Sequence, residues 1–280
     1  MNGRDIASSP PARPEVKLSF VMPVFNEART VVEAVRQVLA VDYPVPIELI
    51  VVDDGSSDTT LLELAVIDDD RVRVHRHMTN LGKGAAVRSG VYLATGSHVL
   101  PFDADLEYSP EDVPRLLAPV VSGRCDVVYG TRLFGVNTVY QSYRYAMGNR
   151  FMTLVANVLF DSYLSDLHSC LKLVPRYLFD SLSLKETGFG LDTEITASLL
   201  RRGIRPFEVP VSYHSRTHAE GKKISWRDGV ACLHILGRVR FARGRRPAGV
   251  RAVSARTPMS SHELMARPVN DGDVGVSRFR

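Results

Sequence analysis

Val99-Leu-Pro-Phe-Asp-Ala-Asp-Leu-Glu107 is the stretch on which the fold turns. A short apolar run ends in two acids one residue apart, with a third two residues on. As a buried strand it releases Asp103 and Asp105 from its end on one face, because strand side chains alternate with period two. Carboxylates so close repel unless a cation lies between them, and hard divalent ions favour oxygen ligands. An isolated Asp-x-Asp also occurs in many surface turns, so its weight comes from its neighbours.

Outward from this stretch, strand and helix signals alternate. Residues 18–22 read as a strand stopped by Pro23, and Val31, Val35, Val38 and Leu39 then recur at helical spacing. Strands are expected at 47–52, 71–76, 98–102 and 125–129, with a helix at 84–94. Ser109-Pro110-Glu111-Asp112 has the cap, the first-turn proline and the acids that open a helix. Later the pattern predicts an amphipathic helix at 144–160, strands at 169–174 and 204–212, and a helix at 193–202 ended by Gly203. A last helix would put Trp226, Val230, Leu233 and Leu236 on one face. Such alternation signals an α/β fold, a mainly parallel sheet flanked by helices. Residues 1–15 are expected to be disordered, 16–243 to form a single catalytic domain, and 244–280 to be a basic, disordered tail.

With 45% hydrophobic and 24% charged residues, the chain has the composition of a globular protein. Cys125, Cys170 and Cys232 are odd in number and far apart, which points to reduced thiols and a cytoplasmic setting. No apolar run approaches the roughly 20 residues that span a bilayer. The net charge of +4 is uneven: from Arg238 onward there are ten Arg against Glu263, Asp271 and Asp273, a balance of +7, leaving −3 elsewhere. One reading is a solvated tail; the other is attachment to an anionic membrane surface, worth about 1 kcal/mol per basic residue. Nucleic acid is not expected, since the basic segment has Phe241 as its lone aromatic before Phe279 and no recognition motif.

Three strands run into polar residues at their C-terminal ends: Asn26-Glu27, Asp53-Asp54 and Asp103/Asp105. Ligands of open parallel sheets bind at those ends. Taken singly, each pair is also a sequence for a solvated turn, Asp53–Asp58 for an Asx turn. Two nucleotide-binding motifs are missing. Pro23-Val-Phe-Asn-Glu27 stands where a dehydrogenase needs G-x-G-x-x-G, and Asn80-Leu-Gly-Lys-Gly84 lacks the spacing and hydroxyl of a P-loop. The latter reads as a turn entering a helix, either with Lys83 near a phosphate or as an ordinary exposed loop. His214 and His218 lack the neighbours of a zinc site. Tyr140, Tyr143, Tyr145 and Phe151 would suit either a membrane interface or packing on the core.

Pro23-Val-Phe-Asn-Glu27, Val51-Val-Asp-Asp-Gly-Ser-Ser-Asp58, Asn80-Leu-Gly-Lys-Gly84 and Phe102-Asp-Ala-Asp-Leu-Glu107 resemble, in order and spacing, family 2 glycosyltransferases with the GT-A (Rossmann-like) fold. The likeness covers roughly residues 17 to 230. Tyr129-Gly-Thr-Arg132, Asp166-Leu-His-Ser-Cys-Leu-Lys172, Gly188-Phe-Gly-Leu-Asp-Thr-Glu194, Glu208-Val-Pro-Val-Ser-Tyr213 and Gly221-Lys-Lys-Ile-Ser-Trp-Arg-Asp-Gly229 are similar to the polyprenyl-phosphate (dolichyl-phosphate mannose synthase-like) branch.

The resemblance implies inverting transfer of a sugar from a nucleotide diphosphate sugar (UDP- or GDP-hexose) to a polyprenyl phosphate. Pro23, Glu27, Asp53, Asp54, Lys83 and Asp103 would bind the donor. Asp103, Asp105 and Glu107 would hold Mg2+ or Mn2+, Glu107 standing where relatives often have Gln. A phosphate acceptor is largely dianionic at pH 7, its second pKa being near 6, so it needs positive groups more than a base. Arg132, Arg144, Arg216, Lys222 and Lys223 are the candidates for that phosphate, each equally readable as a surface charge. Asp192 and Glu194 fall where other GT-A enzymes place a catalytic acid, and with Asp105 and Arg132 complete the catalytic candidates. Localisation follows: cytoplasmic, peripheral on the inner face of the plasma membrane. The rivals are a family 2 enzyme with a soluble acceptor, which would need Asp192 as base, and a non-catalytic lipid- or nucleotide-binding protein on the same scaffold.

Overall fold

The first strand, β1 (Leu18–Val24), is followed by α1 (Val31–Ala40), β2 (Ile47–Asp53), α2 (Thr60–Leu64), β3 (Val72–Arg76), α3 (Lys83–Leu93) and β4 (His98–Pro101). Then come α4 (Val113–Val121), β5 (Val128–Thr131), β6 (Thr138–Val139), α5 (Tyr143–Phe160), β7 (Lys172–Pro175) and α6 (Arg176–Ser181). The last elements are α7 (Leu191–Arg201), β8 (Phe207–Pro210), β9 (Tyr213–His214) and α8 (Trp226–Phe241). This is a computed structural model describing residues 15–133, 138–139, 143–215 and 226–242. The segment expected to be disordered, Glu15 apart, and the basic tail lie outside the described residues.

Seven strands form one sheet in the order β3-β2-β1-β4-β7-β5-β8, parallel except for β7, and β6 pairs with β9 apart from it. The chain steps outward through β1, β2 and β3, then crosses back by α3 to lay β4 on the other side of β1. That reversal is a topological switch point, where the C-terminal strand ends open a crevice. Period-two alternation sorts the core. Leu18, Phe20 and Met22 face α1 and α4, whereas Val21 faces α3 and α7. A third cluster joins α5, α7 and α8 through Met152, Ala156, Leu200, Ile235 and Leu236.

The α/β reading holds, with instructive differences. Pro23 does not stop β1; it pairs in register with Val52. The carbonyl of Val21 accepts from Phe102 on the β4 side, so Pro23, two residues on, turns its missing N–H toward the space beyond the end of β4 and costs no ladder bond. The apolar runs before β5, β7 and β8 are longer than the strands: pairing starts at Val128, Lys172 and Phe207. Gly203, at φ +80°, ends α7 as expected, its N–H and that of Ile204 capping the carbonyls of Leu200 and Leu199. The stripe expected on α8 is rotated. Cys232, Ile235, Leu236 and Val239 are buried, whereas Val230 and Leu233 face outward.

The N-terminal ends of the strands carry stability rather than a site. Glu48 accepts from Ser19 Oγ (2.5 Å), the Thr95 amide (2.6 Å), Thr95 Oγ1 (2.9 Å) and the Gly96 amide (3.1 Å), with Arg73 at 3.0 Å. Burial works to raise its pKa, but those hydrogen bonds and the charge of Lys17 outweigh it and bring it to about 2. A depressed carboxyl pKa adds stability that is full above the unfolded value of 4.5 and fades as pH falls toward 2. Glu48→Gln should therefore lower the unfolding free energy by about 2 kcal/mol at pH 7. In urea titrations the gap from wild type should close between pH 4.5 and 2; an undiminished gap at the acid end would contradict this account.

Candidate active site

The acid loop begins one residue past β4, since pairing stops at Pro101. Asp103 and Asp105 thus stand in a turn and not on a strand, yet the alternation persists, with Phe102 and Ala104 buried and the two acids partly exposed. Leu106, at φ +60°, bends the loop so that the Glu107 amide donates to Asp105 Oδ1 (3.1 Å). Asp103 Oδ2 receives Lys83 Nζ at 2.7 Å. Burial works to depress the Lys83 ammonium, but the charges of Asp103 and Asp192 prevail and hold it well above the ordinary lysine value.

Asn80-Leu-Gly-Lys-Gly84 forms the expected turn into α3, with Gly82 at φ +98°. Its glycines answer to close packing: a Cβ on Gly82 would lie 2.4 Å from the Thr187 carbonyl oxygen, and one on Gly84 2.7 Å from that of Glu186. Both oxygens of Asp54 are taken up by this turn. Oδ1 accepts from Leu81 (3.0 Å) and pairs with His77 Nδ1 (2.7 Å), and Oδ2 accepts from Gly82 (2.8 Å). The structure therefore gives Asp54 a loop-anchoring part. Asp53 differs. Its Oδ1 accepts the Ser56 amide (3.0 Å), whereas Oδ2 is fully buried, without a hydrogen bond and 3.3 Å from Arg76 Nε. The Arg76 charge compensates that oxygen, which is closed off from solvent.

At the end of β1, Asn26 adopts φ +56° and its side chain accepts the Ser57 amide (2.9 Å). The Glu27 amide donates to Thr60 Oγ1 (2.9 Å) and its carboxylate accepts from Thr30 Oγ1 (3.0 Å). Pro23 lies inside β1, on the strand that leads here.

Arg132 follows β5. It grips Asp166 with two parallel bonds, Nε to Oδ2 (2.6 Å) and Nη2 to Oδ1 (2.7 Å), while its guanidinium lies 4.9 Å from the centre of the Tyr213 ring. Burial works to raise the fully buried Asp166, but Arg132 holds it far below the carboxylate range. Asp166 also accepts from Asn149 of α5 (2.8 Å), whose oxygen meets His168 Nδ1 (3.0 Å), and His168 Nε2 reaches Thr193 of α7 (3.2 Å). Burial, then the charge of Lys172, lowers His168 to about 4, so it is neutral at physiological pH. Lys172 is wholly buried, donates to the carbonyls of Leu167 (3.1 Å) and Ser169, and faces Asp192 at 3.5 Å.

Glu194 is placed otherwise than expected. It accepts from the amides of Lys185 and Glu186 (both 2.8 Å) and from Arg238 (2.7 Å), fastening α8 to the loop before α7. Glu107 turns its carboxylate to Tyr213 Oη (2.7 Å). No three His, Cys, Asp or Glu side chains are gathered as a metal group among the described residues, so the trio Asp103, Asp105 and Glu107 is not assembled. Asp103 and Asp105 still fit a divalent ion, because Mg2+ takes one or two carboxylates and completes its shell with water and substrate phosphate oxygens. Arg144 belongs to α5, its side chain lying outside the described residues, as do Arg216, Lys222 and Lys223. Asp166, His168, Lys172 and Tyr213 stand in the motifs quoted for the polyprenyl-phosphate branch but were given no part from the sequence, and Arg76 was not singled out.

Residues 19–182 match Glycosyl transferase family 2. The chain belongs to that family. Glycosyltransferase AglD of Haloferax volcanii is 29% identical over 210 residues, 72% of this chain and 34% of that protein. Dodecaprenyl-phosphate galacturonate synthase of Rhizobium johnstonii is 34% identical over 122 residues, 42% of this chain and 36% of that one. The chain thus spans about a third of the length of these two relatives. Glucosyl-3-phosphoglycerate synthase of Mycobacterium tuberculosis, crystallised with UDP, superposes with a TM-score of 0.59 at 22% identity, over 80% of each chain. The expected GT-A architecture is borne out by this likeness.

Asp166→Asn would take the Asp166 charge away from the largely buried Arg132. Breaking such a pair costs about 3–5 kcal/mol. The variant should unfold at correspondingly lower denaturant; a midpoint within error of wild type would remove Asp166 from the scaffold.

Proposed function

We propose that this family 2 glycosyltransferase moves a monosaccharide from a UDP- or GDP-hexose to a polyprenyl phosphate, with inversion and with Mg2+ or Mn2+. The observation that carries the reading is Tyr213. Its hydroxyl donates to Glu107 of the acid loop while its ring stacks on Arg132. A donor-side acid cluster and a rigidly forked cation are thereby held side by side, and arginine is the side chain best shaped for phosphate. The similarity to a dodecaprenyl-phosphate sugar synthase supports the same acceptor class.

Asp53 and Glu27 are assigned to the nucleoside. Lys83, in contact with Asp103, is assigned to the diphosphate. A metal ion held by Asp103 and Asp105 would neutralise the charge of the departing nucleoside diphosphate. The acceptor phosphate oxygen, already anionic, attacks the anomeric carbon from the side opposite the leaving group. A C–O bond to the acceptor forms as the C–O bond to the β-phosphate breaks, which inverts that carbon. Such a nucleophile brings no proton to remove. This accords with Asp192, which faces the ammonium of Lys172. Arg132 orients the acceptor phosphate, and Asp166 fixes Arg132. The place of work would be the cytoplasmic face of a membrane, with peripheral attachment.

Extraction of radiolabel into organic solvent tests the reading, using undecaprenyl phosphate, Mn2+ or Mg2+ and labelled UDP- or GDP-hexoses in turn. Label should appear in the lipid phase with one donor. It should fall by about two orders of magnitude or more in Asp105→Ala, and Arg132→Lys should raise the KM for the lipid more than it lowers kcat. Metal-dependent nucleotide release with no lipid label would shift the reading to a soluble acceptor, and no turnover of any donor to a binding protein.

A further inference from the structure

Helix α5 is apolar on both sides, which the amphipathic pattern expected of it did not anticipate. Its inner side enters the core with Met152, Ala156 and Phe160. Its outer side exposes Tyr143 (78%), Phe151 (54%), Leu154 (59%) and Val158 (73%). At 3.6 residues per turn these four fall within an arc of about 80°. Asn149, Arg150, Thr153 and Asn157 interrupt the helix elsewhere, so these four form a separate outward apolar stripe, and an exposed apolar patch of that kind marks an interaction surface. The helix contains no acid, and its charges are Arg144 and Arg150.

Helix α8 lies alongside it and runs the same way. Gly229 is next to Met152 near one end, and Arg240 donates to the Leu159 carbonyl (2.7 Å) near the other. Its exposed side is mixed, with Val230, Leu233 and Phe241 beside His234 and Arg240. Where α8 ends, the chain continues into its basic tail, +7 from Arg238 onward.

Resting on the lipid-acceptor reading above, we infer that the outer face of α5, extended by α8, is a docking surface for an anionic lipid bilayer. Interfacial helices sink an apolar face about 5–10 Å into the headgroup boundary, and basic groups beside them draw anionic lipid. A second copy of the chain is the poorer occupant, because each chain carries +7 from Arg238 onward and like charge opposes association. The placement also suits the chemistry. Asn149, on the inner side of α5, bonds Asp166, which grips Arg132. One helix, about 10 Å across, therefore separates the apolar face from the arginine assigned to the acceptor phosphate. A lipid phosphate at the bilayer surface would reach the site with its hydrocarbon still in the membrane.

The test uses the full chain and a triple variant, Phe151→Ser with Leu154→Ser and Val158→Ser. Flotation is measured with phosphatidylcholine vesicles and with mixed phosphatidylcholine–phosphatidylglycerol vesicles. Met78→Ser, more solvent-exposed at 96% and remote in sequence, serves as control, and thermal melts check folding. Wild type and control should float with the mixed vesicles and the triple variant should bind them roughly tenfold less or worse. Transfer to water-soluble geranyl phosphate should be unchanged in the triple variant. Undiminished flotation of the triple variant overturns the inference, as does conversion by these substitutions of a sedimenting dimer to a monomer. Vesicle binding through the face with no transfer to any polyprenyl phosphate would uphold the docking surface and sink the acceptor assignment instead.

Discussion

Arg132 and Asp166 form a doubly hydrogen-bonded ion pair with the carboxylate wholly out of solvent. Burying two charges is costly, and their attraction compensates only where geometry is good and the remaining lone pairs are satisfied. Here they are satisfied from several directions. Asp166 takes a bond from α5 through Asn149, the chain of contacts continues through His168 to α7, and Tyr213 of the small second sheet covers the guanidinium. The irregular second half of the chain is thus organised around one charge pair, in contrast to the first half, which is organised by apolar strand faces. A pair of hydrophobic residues could supply comparable stability there, but not a cation of fixed orientation at the end of β5.

The two ends of the sheet divide the work. At the N-terminal ends, Glu48 draws together β1, β2, β3 and the turn before β4. At the C-terminal ends stand the acids that follow or close the first, second and fourth strands, beside the reversal in strand order. Charges concentrated in this way repel one another. Asp54 is compensated by backbone amides, Asp103 by Lys83 and Asp53 by Arg76.

Much of this was legible in the sequence. Apolar runs of strand length ending in acids mark parallel strands that lead to a site, and each such run proved to be a strand of the sheet. The glycine after α7 and the serine at position 109 did what such residues do at helix ends. What could not be read were the purposes of individual polar groups, because these depend on partners distant in the chain. Asp53 and Asp54 are neighbours of the same type. Nothing local tells that Asp54 would be taken up by amides 27 and 28 residues on while Asp53 keeps an oxygen without a hydrogen bond. Glu194 has the look of a catalytic acid beside Asp192, yet within the first turn of α7 the two stand about 200° apart around the helix and meet different neighbours. Periodicity also failed on α8, where apolar residues occur on more than one side and packing against α5 and α7 chose among them.

Tyr213 has a further consequence. Its hydroxyl holds Glu107, its ring lies on Arg132, its neighbour His214 donates to the Glu107 carbonyl (2.9 Å), and it bridges Tyr108. The loop that would receive the donor and the side chain that would receive the acceptor therefore share a wall. Whatever shifts the acid loop presses on the same aromatic plate that steadies the arginine. On the proposed assignment a donor and an acceptor would not meet independent halves of a cleft, because Tyr213 belongs to the surroundings of both.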